Sequence, residues 1–172
     1  DCSQSRGLGD VYKRQGPWYY EQIDLGFNYR MTDINAALGL SQMKRLDEYI
    51  SKRHLIARYY DKKLKEFPLR VPYQCPDSYS SYHLYVIRLK LNKINKTYEE
   101  VYRNLREKGI GTNLHYLPVY LHPFYQNLGF KKGYCPNAEK YYEECISIPI
   151  FPRLTKLEQE NVIDSLRKII CQ

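Results

Sequence analysis

The sequence predicts an α/β fold, in which one long helix is followed by a small three-stranded sheet covered by helices. Two observations lead to this fold class. Apolar residues recur at helical spacing over residues 32–67 without a proline, which predicts the long helix. After Pro68, short runs rich in β-branched and aromatic residues alternate with amphipathic stretches, which predicts a small layer of strands and helices.

The long helix is predicted to begin at Thr32 and to continue to about Leu64. Its first turns, over residues 34–40, are apolar on nearly every side, so we expect them to be buried between two bodies of protein. From Lys44 onward polar residues accompany the apolar stripe, and one face of the helix should therefore meet water.

Further strands and helices are predicted after this helix. Alternating and β-branched patterns predict strands over residues 83–91, 110–116 and 146–150. Helical spacing predicts helices over residues 97–108, 124–128, 136–145 and 155–170. The first and last of these begin with Thr-x-x-Glu, the spacing of a capping box, and Gly109 is placed to end the first.

The charge of the chain does not by itself indicate a nucleic-acid-binding protein. The formal net charge is +8, and the 19 tyrosines could suggest a surface that stacks on bases. Basic residues nevertheless alternate with acidic ones over residues 44–67, as on a solvated helix face, and no nucleic-acid-binding signature is present. We therefore expect no nucleic-acid partner, and the positive charge also suits a substrate that carries a diphosphate.

Neither a membrane protein nor a disulfide-rich or zinc-binding protein is predicted. No apolar run is long enough to cross a bilayer, so we expect no membrane partner and a cytoplasmic location. The five cysteines are scattered without a Cys-x-x-Cys pair, and no histidine lies at metal-ligand spacing. We interpret the cysteines as free thiols and expect no metal.

The mouth of the long helix is the first candidate binding site. Thr32 or Asp33 can cap this helix, whose first N–H groups and macrodipole favour an anion. Asn28 and Arg30 precede the cap and supply a neutral donor and a planar cationic fork, a pair suited to a phosphorylated ligand. Most helix starts carry a cap and bind nothing, so local chemistry alone leaves both interpretations open.

Several segments of the chain closely resemble the DegT/DnrJ/StrS family of pyridoxal-phosphate (PLP) nucleotide-sugar aminotransferases. Within the family, the resemblance is greatest to the branch that acts on UDP-linked sugars of the pseudaminic-acid pathway. The segments that carry it are GPWYYEQ from Gly16, DLGFNYRMTDI from Asp24, AALGLSQ from Ala36, SYHLYVIRL from Ser81, GIG from Gly109, LHYLPV from Leu114 and SIPIFP from Ser147.

The resemblance implies a fold, an activity and partners. It implies the C-terminal small domain of a fold-type-I aminotransferase, with PLP as cofactor. The reaction would transfer an amino group from glutamate to a 4-keto-6-deoxy sugar linked to UDP. The enzyme would be a homodimer with a composite active site. The domains are then residues 1–15, a leader foreign to the protein, residues 16–67, the linking segment with the long helix, and residues 68–172, the small domain.

Site residues also follow from the resemblance. Asn28 matches the residue that reaches the PLP phosphate of the other subunit, and Arg30 lies in the same composite site, facing an anionic part of a substrate. His115 and Tyr116 match the segment beside the sugar nucleotide, although a lone histidine is more often a hydrogen-bonded structural residue. The aromatic residues Trp18, Tyr19 and Tyr20 could stack on a base or pack at a domain interface.

The lysine that a PLP transaminase requires is not expected in this chain. Every lysine from Lys44 to Lys168 lies in a polar setting, without the apolar surroundings that lower the pKa of an amine. In the family the Schiff-base lysine lies upstream of such a segment, so we expect this chain alone to be inactive. The alternative is a non-catalytic relative that binds sugar nucleotides or regulates.

Overall fold

The structure is a computed structural model that describes Tyr29 and residues 31–171. The chain divides into two units, of which the first ends at Arg45 and the second begins at Leu46. This division falls inside the predicted long helix, whereas the sequence suggested a boundary between residues 67 and 68.

The first unit contains helix α1, Asp33–Met43. Thr32 is its N-cap, because the Thr32 hydroxyl oxygen accepts the N–H of Asn35 at 3.3 Å, and the predicted start of the helix is thereby confirmed. No residue of α1 is buried, and Ile34 is 81% exposed. The burial expected for its apolar side chains is therefore not provided by the described part of this chain.

The prediction of one continuous helix is wrong in one detail, since helix α2, Leu46–Leu64, begins after a two-residue turn. The N–H of Lys44 still bonds the carbonyl of Leu40 at 3.3 Å. The N–H of Arg45 bonds the carbonyl of Gln42, only three residues back, at 3.0 Å. This tighter turn interrupts the helical pattern without the glycine or proline that would mark it in a sequence.

The second unit contains an antiparallel sheet of three strands in the order β1-β2-β3. The strands are β1, Leu69–Arg70; β2, Tyr85–Leu89; and β3, Cys145–Ile148. The central strand β2 alternates as a half-buried strand should, with Tyr85, Ile87 and Leu89 buried. Every residue of β3 is buried, so this strand passes through the core.

The predicted strand over residues 110–116 is wrong. Only Asn113 pairs, in an isolated bridge to Ser147. The chain turns sharply at Gly111, because the N–H of Thr112 bonds the carbonyl of Ile110 at 2.9 Å. The Asn113 side chain then accepts the N–H of the next residue, which competes with strand pairing.

The sheet in the described part of the chain nevertheless has three strands, because β1, which was not predicted, takes the place of the missing strand. Its two residues lie between Pro68 and Pro72, and a run of this length has no measurable periodicity. Leu69 lies opposite Leu89, and the carbonyl of Pro68 accepts the N–H of Lys90 at 2.9 Å. The pairing partner, and not the local pattern, makes this segment a strand.

The four predicted later helices are confirmed. They are α3, Tyr98–Glu107; α4, Pro123–Asn127; α5, Pro136–Glu144; and α6, Lys156–Ile170, with 3₁₀ turns at Leu91–Lys93 and Val119–Leu121. Both predicted capping boxes are present, at Thr97 with Glu100 and at Thr155 with Glu158. Gly109 follows α3 with φ at 75°, a conformation that disfavours any other residue.

The core of the second unit is where the helices meet the sheet. Helix α6 packs on α2 and α3, and α5 packs on β2. The largest fully buried side chains include Tyr60, Tyr85, Leu105, Ile163 and Leu166. Within the described part of the chain, none of the helices combines the length and the apolar character that crossing a bilayer requires.

We expect Leu166→Ala to lower the free energy of unfolding by about 2–5 kcal/mol, because it leaves a cavity in the core. Leu157→Ala on the same helix is the matched control, since Leu157 is 82% exposed and Leu166 is 0% exposed. Urea unfolding of both variants measures the difference. Equal destabilisation would contradict the placement of α6 on the core.

Candidate functional site

The structure describes only part of the predicted site. Asn28 and Arg30 lie outside the described residues, as do the aromatic residues from Trp18 to Tyr20. Their proposed roles therefore stay predictions. His115 and Tyr116 are described, and they lie in the segment that follows α3.

The bridge between Asn113 and Ser147 places His115 beside β3. The two residues exchange backbone hydrogen bonds of 2.8 and 3.2 Å. His115 Nδ1 lies 2.7 Å from the hydroxyl oxygen of Ser147, a residue that is itself buried. His115, which is partly exposed, is thus held by a hydrogen bond to a buried residue of β3.

The hydrogen bonds around His115 indicate which of its ring nitrogens donates and which accepts. The N–H of Leu114 donates to Asn113 Oδ1 at 2.8 Å, so the amide nitrogen of Asn113 is the group 3.3 Å from His115 Nε2. An amide nitrogen can only donate, so Nε2 accepts. In this arrangement Nδ1 carries a proton and donates it to the Ser147 hydroxyl.

Tyr116 contacts His115 directly. The two ring centroids are 4.6 Å apart with the planes at 88°, an edge-to-face arrangement. Tyr116 is 71% exposed, so most of its ring is available to another surface. The structure thus brings together the two described residues that were predicted to bind substrate.

An open cavity of about 590 Å³ lies against His115. Part of the lining is formed by His83 and Leu84, which we call the first wall, and the neighbouring part by residues 147–151, which we call the second wall. The rest is formed by residues 109–111, Asn113, His115 and the start of α6 with the turn before it. Tyr116 does not line this cavity.

The cavity offers neutral hydrogen-bonding groups more than charges. None of the described residues that line it is a lysine or an arginine. Its one carboxylate, Glu158, is occupied by capping, since it accepts the N–H and the hydroxyl of Thr155 at 2.8 and 2.7 Å. These hydrogen bonds lower the pKa of Glu158. The lining suits a hydroxylated or amide-bearing group better than a phosphate.

The loop after Tyr116 is anchored by a buried carboxylate of α5. Glu139 Oε1 accepts the hydroxyl of Tyr120 at 2.7 Å and the N–H of Gly133 at 2.6 Å. These two hydrogen bonds lower the pKa of Glu139, with Tyr120 contributing most. The segment between Tyr120 and Gly133, which contains α4, is thereby held at both ends by the Glu139 side chain.

The described residues contain no lysine in the setting that a Schiff base with PLP requires. No described lysine is buried; Lys90 and Lys96 are half-buried and the others are exposed. A Schiff-base lysine requires a dry setting, and none of these provides it. Over the same residues, no group of histidine, cysteine and carboxylate side chains could hold a metal ion.

Sequence reasoning did not single out Asn113 and Ser147 as site residues. Ser147 lies 32 residues from His115, and no local pattern reveals their contact. The one available signal was that the segment beginning at Ser147 resembles the aminotransferase family, and this resemblance assigned no role to the serine.

Comparison with known proteins shows a family match over nearly the whole chain. The sequence profile of the DegT/DnrJ/EryC1/StrS aminotransferase family matches residues 2–167. This range begins inside residues 1–15, whose assignment as a foreign leader stays a prediction.

Individual relatives support the same match. The chain is 36% identical over 169 residues to the spore coat polysaccharide biosynthesis protein SpsC of Bacillus subtilis, covering 96% of this chain and 43% of that protein. It is 35% identical over 166 residues to the UDP-4-amino-4,6-dideoxy-N-acetyl-β-L-altrosamine transaminase of Campylobacter jejuni, again covering 96% and 43%. The chain thus spans less than half the length of these relatives.

A solved structure has the same fold. Helicobacter pylori PseC, described as an aminotransferase involved in the biosynthesis of pseudoaminic acid, superposes with a TM-score of 0.79 at 27% identity. The superposition covers 98% of this chain and 46% of PseC.

We expect Ser147→Ala to move the proton of His115 from Nδ1 toward Nε2, because it removes the acceptor of the Nδ1 proton. Long-range ¹H–¹⁵N spectra above neutral pH distinguish the two forms, and His115→Gln assigns the signal among the four histidines. Ser51→Ala, at an exposed position of α2, is the control. A wild-type signal with the proton on Nε2 would contradict the assigned network.

Proposed function

The chain belongs to the DegT/DnrJ/EryC1/StrS aminotransferase family, and from this membership we propose that it is the C-terminal part of a PLP-dependent nucleotide-sugar aminotransferase. The observation that carries the proposal is the family match over residues 2–167. The fold supports it, since solved members superpose on nearly all of the chain.

The substrate that we propose is a UDP-linked 4-keto-6-deoxy sugar, with glutamate as the amino donor. Support comes from the similarity to the Campylobacter jejuni transaminase, whose name specifies a UDP-linked 4-amino-4,6-dideoxy sugar. The neutral cavity beside His115 fits the sugar part of such a substrate, because hydroxyl and acetamido groups need hydrogen-bonding partners and no counter-charge.

PLP, when bound, would supply the electron sink for amino transfer. Asn28 would donate to the cofactor's phosphate in the other subunit, and Arg30 would bind an anionic group of a substrate. His115 and Tyr116 would contact the sugar. Because Nδ1 of His115 is held by Ser147, the sugar would reach Nε2 by replacing the amide of Asn113, which is the longer contact at 3.3 Å.

The composite site requires a second copy of the chain, and the surface of α1 supports a homodimer. Its apolar residues Ile34, Leu38, Leu40 and Met43 are all exposed in the single chain. Soluble proteins rarely leave contiguous apolar surface of a few hundred Å² uncovered. In the proposed dimer the partner and the upstream domain would cover these residues.

The full-length protein that carries this chain tests the proposal. We expect it to show the absorbance of bound PLP. This absorbance should change when glutamate is added and should return when a UDP-linked 4-keto-6-deoxy sugar is added next. This chain alone is the control and should show neither change, because the Schiff-base lysine is proposed to lie upstream. A full-length protein without that lysine, which binds the sugar nucleotide and transfers nothing, would support the non-catalytic alternative instead.

In the full-length dimer, Asn28→Ala should weaken PLP binding about tenfold to a hundredfold, because one hydrogen bond to a charged phosphate contributes about 1.5–3 kcal/mol. Titration of the apo-enzyme with PLP, followed by absorbance, measures the change. Asn95→Ala, in an exposed loop, is the control. Unchanged affinity in Asn28→Ala would mean that Asn28 only leads into the helix.

A further inference from the structure

Arg53 of α2 donates to three backbone carbonyls of two distant chain segments. Its Nη1 lies 2.9 Å from the carbonyl oxygen of Tyr82, 3.2 Å from that of His83 and 2.9 Å from that of Ile150. His83 and Ile150 belong to the first and second walls of the cavity, respectively. One guanidinium nitrogen therefore joins both walls.

The setting of Arg53 indicates a geometric role more than a charge pair. In the part of the chain that the structure describes, no carboxylate forms a salt bridge with Arg53. Partial burial lowers the pKa of its guanidinium, so the charge is desolvated at some cost. The hydrogen bonds to the three carbonyls offset this cost, and they fix the position of the backbone at Tyr82, His83 and Ile150.

The first wall needs such support because the residue before it is in an unfavourable conformation. Tyr82 has φ at 46°, in the left-handed region that a tyrosine rarely adopts. Arg53 binds its carbonyl, and the Ser80 hydroxyl accepts its N–H at 3.1 Å. The neighbouring His54 adds a third hydrogen bond through Nε2, 2.8 Å from the carbonyl of Ser80.

We propose that Arg53 is a positioning residue that holds the first and second walls of the cavity beside each other and thereby sets the affinity of the cavity for the sugar part of the substrate. The proposal rests on the proposed function for the identity of the ligand. Arg53 does not line the cavity, so it acts through the backbone of His83 and Ile150.

Half-reactions of the full-length protein separate this role from a general structural one. The sugar half-reaction is followed with UDP-4-amino-4,6-dideoxy-N-acetyl-β-L-altrosamine as the probe, and the other half-reaction with glutamate. We expect Arg53→Met to raise the half-saturating concentration of the amino sugar about tenfold, since it loses hydrogen bonds made by a charged donor. The glutamate half-reaction should be unchanged, which also shows that the variant is folded.

Two further variants complete the design. Arg53→Lys should recover most of the lost affinity, because an ammonium has three N–H donors for the three carbonyls. Lys62→Met, at an exposed position of the same helix, should behave as wild type. Equal loss in both half-reactions, or no loss in Arg53→Met, would overturn the proposal.

A second measurement keeps the two proposals distinguishable. The ¹³C shifts of the Tyr82, His83 and Ile150 carbonyls, recorded on the same protein, should move in Arg53→Met and stay unchanged in Lys62→Met. If wild type performs neither half-reaction while these shifts behave as expected, the proposed function fails and the positioning of the walls stands. Unmoved shifts would refute the positioning role whatever the activity.

Discussion

Two donors on α2 fix the chain where the sheet ends, and the cavity depends on them. Pro149 has no N–H, so the ladder of β3 cannot continue through it. The hydroxyl of Tyr60 binds the Pro149 carbonyl at 3.0 Å, and Arg53 binds the next carbonyl, that of Ile150, at 2.9 Å. Because a buried carbonyl without a partner costs about 1–3 kcal/mol, these bonds determine the path of the second wall.

The sequence of α2 places these donors on its buried face. Ala57, Tyr60 and Leu64 follow Arg53 at spacings of four, three and four residues, so all lie on one side of the helix. The three later residues are buried in the core, and Arg53 is half-buried at the end of this stripe. Gln159 of α6 attaches the same helix from the other side, donating to the Ile56 carbonyl at 2.7 Å. Helix α2 therefore both packs into the core and positions the cavity walls.

Sequence analysis identified what local chemistry encodes. The starts of α3 and α6 were predictable because each capping box lies within four residues, and the start of α1 followed from Thr32. The interruption of the long helix and the short strand β1 were not predictable, since no residue pattern in the local sequence indicates either of them. The same holds for the site, where Arg53 and Ile150 are 97 residues apart. Pairing at that distance is a property of the fold and leaves no pattern in the sequence.

The network around His115 limits what this part of the site can do to a substrate. Both ring nitrogens already have partners, and Nδ1 directs its proton to Ser147. The Ser147 hydroxyl accepts that proton and retains its own hydrogen, which it can donate into the cavity. Ser147 and the displaceable Asn113 amide can thus orient a hydroxyl, but the described lining has no lysine or arginine to pair with a phosphate. A diphosphate substrate would need its cation from another part of the protein, so in the proposed enzyme the cavity would receive the sugar and a separate site would bind the anion.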